Sequence, residues 1–405
     1  MDEKNSGSDD LSMLMSVNAL QYSPPIDGSL VNSRQYKKYN FSPLNYTNGG
    51  APEIVINSGS DYIWGPTSAI QITLETANDV TLSKAGVFGL LNEFDWTHRS
   101  GDQIDRVRNV NSLVQTLINY EEGADYAGYA KMFGVEEKTG AAAPKTFILP
   151  MSLLSGAWAQ KVLIPADMVA GSKFKIQLES LVRAFQGDPG VTQITGVQLL
   201  LDSYDLFDAA KKALMSQSAN VRTQGLQFSY HSWAQTNKTF TAAAYDLDIN
   251  LSAAKTILLL AKTRTTAALA DQAADSIQSE PYAYKSWRVR LGSNTNPQHE
   301  VTNTAEAYFL TQNAFGNKHN QDLHSSHRVS SGTTYADYTG NFGKAVVCIS
   351  LEKNAVTSLS GEATNNSRLL NISGEFNAAV NRQMDVWVKH LRIANVMRDN
   401  VVIDK

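Results

Sequence analysis

The sequence predicts an all-β protein, an antiparallel sandwich or barrel present in two tandem copies. Three observations carry that reading. Apolar and polar residues alternate at period two in many short segments, helical periodicity is confined to a few short stretches, and the two halves repeat one order of features.

The alternation is plain along the chain. Ile70, Ile72 and Leu74 interleave with Gln71, Thr73 and Glu75, and Phe174, Ile176 and Leu178 interleave with Lys173, Lys175 and Gln177. Val197, Leu199 and Leu201 follow the same rule, as do Leu247, Ile249 and Leu251, and then Trp287, Val289 and Leu291. Such spacing puts one face of a strand on a core and the other in water or against a neighbour. Met384, Val386 and Val388 set one parity, and Leu391 and Ile393 continue on the other, which predicts a β-bulge near Lys389 and His390.

Helices are few. Asn109 or Asn111 caps a segment through Leu113, Val114, Leu117 and Ile118, and Asn303 caps another with Glu306 in the capping-box position. A third, from Asp205 to Ser216, lies near the midpoint, where a connector between two β units belongs. The stretches 262–284 and 316–343 read as long loops on a face.

Val107-x-Asn109 and Val301-x-Asn303 each precede a capped helix. An apolar strand follows in each half and leads to a Leu-Ser-Gly turn, Leu154 to Gly156 and Leu359 to Gly361. A tandem duplication accounts for the shared order. The expected division is an arm over 1–50, a first unit over 51–204, a connector over 205–225 and a second unit over 226–405.

Composition narrows function by exclusion. The 405 residues are 42% hydrophobic and only 18% charged, with net charge −4, so the chain can bury two or three cores of ~150 residues each and is not a disordered polymer. One cysteine, Cys348, rules out an internal disulfide framework or a multi-cysteine metal site. The opening MDEKNSGSDDLSMLMS lacks the basic and apolar regions of a secretory signal, and no apolar run is long enough to span a membrane. Dispersed basic residues, and Asp2, Glu3, Asp9 and Asp10 against Lys4, give no footprint for nucleic acid. The N-x-S/T triplets at Asn40, Asn45, Asn237, Asn250, Asn365 and Asn371 carry no weight without a secretory route.

Phosphate loops, dinucleotide fingerprints, zincin helices and serine-hydrolase elbows are all missing. Three weaker constellations remain. His319, His324 and His327 share a polar loop, but their spacing suits neither helical nor strand ligands, so a solvated loop is the expectation. Asp246 and Asp248 share one strand face, where paired carboxylates or calcium ligands would sit, and the plainer reading is a polar face. Cys348 lies within Ala345-Val346-Val347-Cys348-Ile349 and reads as a buried small hydrophobe. No catalytic, cofactor or metal residue is therefore assigned.

Several segments carry a family likeness: FDWTHRSGDQIDRVRNVNSLVQTLINY, FILPMSLLSGAWAQKVLIPADMV, KFKIQLESLVRAF with ITGVQLLLDSYDL, INLSAAKTILLLAK, WRVRLGSNTNPQHEVTNTAEAYFLTQNAF, and VCISLEKNAVTSLSG with QMDVWVKHLRIANV. From about Pro52 onward the chain resembles the double jelly-roll major capsid proteins of tailless icosahedral DNA viruses, a lineage that includes tectivirus-like phages, virophages, polinton-like viruses and adenovirus hexons.

The resemblance implies two eight-stranded jelly rolls per chain, a homotrimer of pseudo-hexagonal outline, and a lattice of trimers in the virion shell. It implies as partners the chain itself, minor capsid and vertex (penton) proteins, and an internal membrane met by the N-terminal arm. It implies no enzyme activity, no cofactor and no specific nucleic-acid binding. The alternatives at this level are a minor capsid or receptor-binding β protein and a carbohydrate-binding or carbohydrate-cleaving β-sandwich protein.

Overall fold

The computed structural model describes residues 31–41, 50–57, 61–120, 132–135, 138–139, 144–190, 192–216, 226–271, 277, 279–280, 282–316, 345–353, 361–365, 368–396 and 401–404. Sixteen strands carry the main sheets. In the first half these are β1 Val31–Asn40, β2 Glu53–Val55, β3 Ala69–Thr76, β4 Leu91–Thr97, β5 Gln103–Arg108, β6 Lys145–Pro150, β7 Lys173–Leu178 and β8 Thr192–Leu206, with helix α1 Val110–Tyr120 between β5 and β6. Helix α2, Asp208–Ser216, follows β8. In the second half they are β9 Leu226–Phe240, β10 Ala244–Ile249, β11 Thr256–Thr265, β12 Tyr284–Leu291, β13 Asn294–Val301, β14 Val347–Ser350, β15 Leu370–Phe376 and β16 Arg382–Val396, with helix α3 Thr304–Ala314 between β13 and β14.

The pairing repeats. The first half makes the antiparallel orders β1-β8-β3-β6 and β2-β7-β4-β5, and the second makes β9-β16-β11-β14 and β10-β15-β12-β13. Adding eight to each strand number of the first pair of sheets gives the second pair. Duplication is thus written in topology, where the sequence offers only a few scattered matches.

The strands form where the alternation predicts. In β7, Phe174, Ile176 and Leu178 are buried while Lys173, Lys175 and Gln177 are exposed. In β10 the buried set is Tyr245, Leu247 and Ile249, with Leu251 just past the strand. Asn303 accepts the amide of Ala305 at 2.8 Å and caps α3. The other helix starts ahead of Asn111. Asn109 takes a left-handed φ of 47° and its carbonyl receives Leu113 N–H at 3.1 Å, while Asn111 lies inside α1 and donates to Glu179 at 2.9 Å.

The change of parity in β16 is real. Met384, Val386 and Val388 enter the core of the second sandwich, and Trp387, Ala394 and Val396 join the cluster that fills the first. The β9–β16 register runs unbroken through this point, and the extra residue is Ile257 on β11, opposite Lys389 and His390. The bulge therefore belongs to the neighbouring strand.

Three expected boundaries move. Strand β8 runs on through Asp205 and Leu206, so the helix expected from Asp205 begins at Asp208. Residues 31–40 of the expected arm are strand β1, paired with β8 along most of its length; residues 1–30 and 42–49 lie outside the described residues. The expected loop 262–284 begins with the end of β11 and a short helix at Thr266–Ala270, and ends in β12. Lys262 and Arg264 give that stretch a solvent-bound look in sequence; both are buried with polar partners. The stretch 317–343 lies outside the described residues.

Candidate functional site: the seam between the two sandwiches

The outer face of sheet β9-β16-β11-β14 is closed by β5, α1 and the loop after β6 of the first half. Strand β11 is consequently buried on both sides, with Leu259 and Ala261 in the second core and Leu258 and Leu260 in the cluster shared with the first. Val347 and Ile349 of β14 point inward, and Val346 and Cys348 point to the seam. A strand with two dry faces reads as a continuous apolar run, which is what TILLLA is.

Into this dry seam the fold places charged groups, and Asp105, Lys262, Asp385 and Arg392 each take a partner from the opposite half. Asp105 of β5 is fully buried and accepts from Ser155 Oγ, from Ser232 Oγ at 2.5 Å and from its neighbour's amide, Arg106 N, at 2.9 Å. Arg392 of β16 stands 3.6 Å from it and donates to the Ile104 carbonyl at 2.7 Å, which also accepts from Tyr230 at 2.5 Å. Loss of water dominates here and pushes the Asp105 carboxyl above its ordinary value, against the pull of Arg392 and the two hydroxyls.

Asp385 is a second hub. It pairs with buried Arg264 on the adjacent β11 and accepts from Gln235 and from Asn109 of the first half, each at 3.2 Å. Trp387 donates to the Arg108 carbonyl at 3.2 Å. Lys262 points from β11 into α1, donating to Gln115 Oε1 at 2.7 Å and to the Ser112 carbonyl at 3.3 Å. Groups this buried are costly when half-satisfied, so loss of a partner from either half is penalised.

Backbone approach at the seam is also close. A Cβ on Gly156 would lie 2.0 Å from the His231 carbonyl, so the Leu-Ser-Gly turn admits only glycine there. His231 itself is largely buried next to Lys389, and burial first, then that charge, lowers its pKa to about 4.

The residues singled out by sequence fall elsewhere. Asp246 and Asp248 lie on the exposed face of β10, and both accept from the side-chain amide of buried Asn371 across the strand pair, at 2.8 Å for Asp248. That makes them a cross-strand clamp, and it buries the Asn371 of one N-x-S triplet. Cys348 is buried, and its backbone amide donates to Thr311 Oγ1 at 3.3 Å. His319, His324 and His327 lie outside the described residues, and among the described residues no three metal-binding side chains gather. Asp105, Lys262, Arg264 and Asp385 are not singled out by sequence reasoning. The available signal is a lone charge inside an apolar strand, as in LLLAKTR and QMDVWV.

No family model matches the chain, and no curated protein matches it in sequence. Solved structures do. VP54 of PBCV-1, fitted into a reconstruction of the virophage Sputnik, is similar at TM-score 0.64 and 12% identity, over 92% of this chain and 97% of that one. The Faustovirus major capsid protein matches at TM-score 0.64 and 9% identity, over 96% and 98%. The STIV major capsid protein matches at 0.53 and 11%, over 88% and 96%.

The chain has the double jelly-roll fold. At these identities the likeness is one of fold, and it extends over both jelly rolls.

Proposed function

We propose that the chain is a major capsid protein that forms homotrimers of pseudo-hexagonal outline and tiles an icosahedral shell. The observation that carries this is that one sheet occurs twice and is covered once. The outer face of β9-β16-β11-β14 is sealed by the first roll, while the equivalent face of β1-β8-β3-β6 is left open among the described residues, with Tyr36 60% and Ile148 43% exposed. A molecule with one face of a repeated contact satisfied and the other open is built to join copies of itself head to tail, and such a ring closes at three chains if six rolls complete the turn. The fold shared with viral major capsid proteins supports the same reading.

The reading divides the chain into a first roll running from β1 to the end of β8, a connector over 207–225 and a second roll from 226. It takes the protein to the virion, with minor capsid and vertex proteins as partners and the acidic segment ahead of β1 at the shell's inner side, where an internal membrane would meet it. Its work is assembly rather than catalysis. Light scattering after size exclusion, with negative-stain imaging of the main peak, tests it. The expected result is a trimer with a hexagonal outline, and a monomer at micromolar concentration overturns it.

A further inference from the structure

We infer that the contact between chains is made by the Phe309 face of α3 on one copy docking on the Thr73–Ile148 face of the first roll of the next. This rests on the trimer reading and specifies its interface.

One contact of this kind is already made inside the chain. Helix α1 reaches the second roll through Ser112, Gln115 and Thr116, whose oxygens accept from Lys262 Nζ at 3.3, 2.7 and 3.5 Å. Helix α3 follows β13 in the second roll as α1 follows β5 in the first, and both helices have 11 residues. Matching the residues that precede them, Asn109 with Asn303, turns Ser112, Gln115 and Thr116 into Glu306, Phe309 and Leu310. In α1 this face is buried. In α3 Leu310 is half-buried against the second core, while Phe309 is 62% exposed, the highest value among the exposed large apolar side chains of the described residues.

The receiving surface follows by the same correspondence. Strands β6 and β14 end at Pro150 and Ser350, so Ile148 matches Cys348; their partners across the sheet are Gln71 and Leu260. Two residues further along, Lys262 matches Thr73, which exchanges a 3.1 Å hydrogen bond with Thr146. Gln71, Thr73 and Ile148 all lie on the face of the first sheet away from its core, since Ile70, Ile72, Leu74, Phe147 and Leu149 take the other. The open helix face and the open sheet face thus sit on opposite rolls of one chain, and each is the counterpart of a surface the chain has already buried. A second copy is the one partner that carries both complements.

Cysteine pairing with a short bismaleimide tests this on the full chain, because native Cys348 is buried. Phe309→Cys combined with Thr73→Cys or with Ile148→Cys should yield covalent dimers and trimers on denaturing gels. Neither single variant should, nor should Phe309→Cys combined with Arg290→Cys on the exposed face of β12. With a trimeric wild type, failure of both pairs, or equal yield from the Arg290→Cys control, overturns the contact and leaves the trimer reading intact. A monomeric wild type overturns both.

Discussion

Sheets β1-β8-β3-β6 and β9-β16-β11-β14 share strand order, direction and place in the chain, yet they are opposite in character. The first has one dry face and one face carrying Gln71, Thr73, Gln198 and Tyr36. The second has two dry faces, and into one of them it admits Lys262, Arg264, Asp385 and Arg392. Topology therefore does not decide which residues a sheet can carry; what covers the sheet does. An exposed face needs no more than ordinary polar residues, whereas a covered face must be apolar or else supply each polar group with a partner.

A charge placed at matched positions probes this contrast most severely. Leu260→Asp puts an unpaired carboxylate between two cores and should leave no folded chain, whereas Gln71→Asp, its counterpart, should change the urea unfolding free energy of the single chain very little, within about 0.5 kcal/mol. Equal damage from the two would mean the faces are not different in kind.

Next comes the hub. Asp105→Ala strands Arg392 and two hydroxyls in the dry seam and should cost about 3–5 kcal/mol in denaturant unfolding. Asp105→Asn, which keeps an acceptor, should cost less, and a loss as large as that of alanine would show that charge rather than hydrogen bonding is what the seam needs.

Acid separates the two faces more gently. His231 has its pKa lowered to about 4 in the fold, so the unfolded chain binds the extra proton first as pH falls below the ordinary 6.5. The stability from neutral His231 is full above that value and is lost progressively from about 6.5 to about 4. Unfolding midpoints at pH 7, 5.5 and 4.5 should show the decline, and His231→Gln should flatten it. Asp105 runs the other way: its raised pKa means the fold binds its proton more tightly, so its own contribution improves as pH falls.

The smallest effect should come from the cap of α3. Asn303→Ala removes one acceptor for the Ala305 amide and should cost about 1 kcal/mol, read as a modest drop in melting temperature.

Sequence reveals most where a strand has one wet side. β3, β7, β10 and β12 announce themselves by alternation because water enforces it on alternate residues. β1 escapes notice for the opposite reason: VNSRQYKKYN has no dry side of its own, and it holds its place through the ladder with β8 and pairs such as Arg34 with Asp202, at 2.8 Å. The seam is illegible in sequence because its polar residues look solvent-exposed until the covering roll is known. Asp246 and Asp248 draw attention as a carboxylate pair, and only the fold could bring Asn371 between them.

The connection through α2 has a consequence for dilution. Two rolls on one chain meet at an effective concentration set by the tether, which no buffer volume can lower, whereas contacts between chains weaken as the protein is thinned out. The joint that holds Asp105 and Asp385 therefore survives conditions that separate each molecule from its neighbours, and the pair of rolls, never the single roll, is the smallest brick to which any assembly of this protein can return.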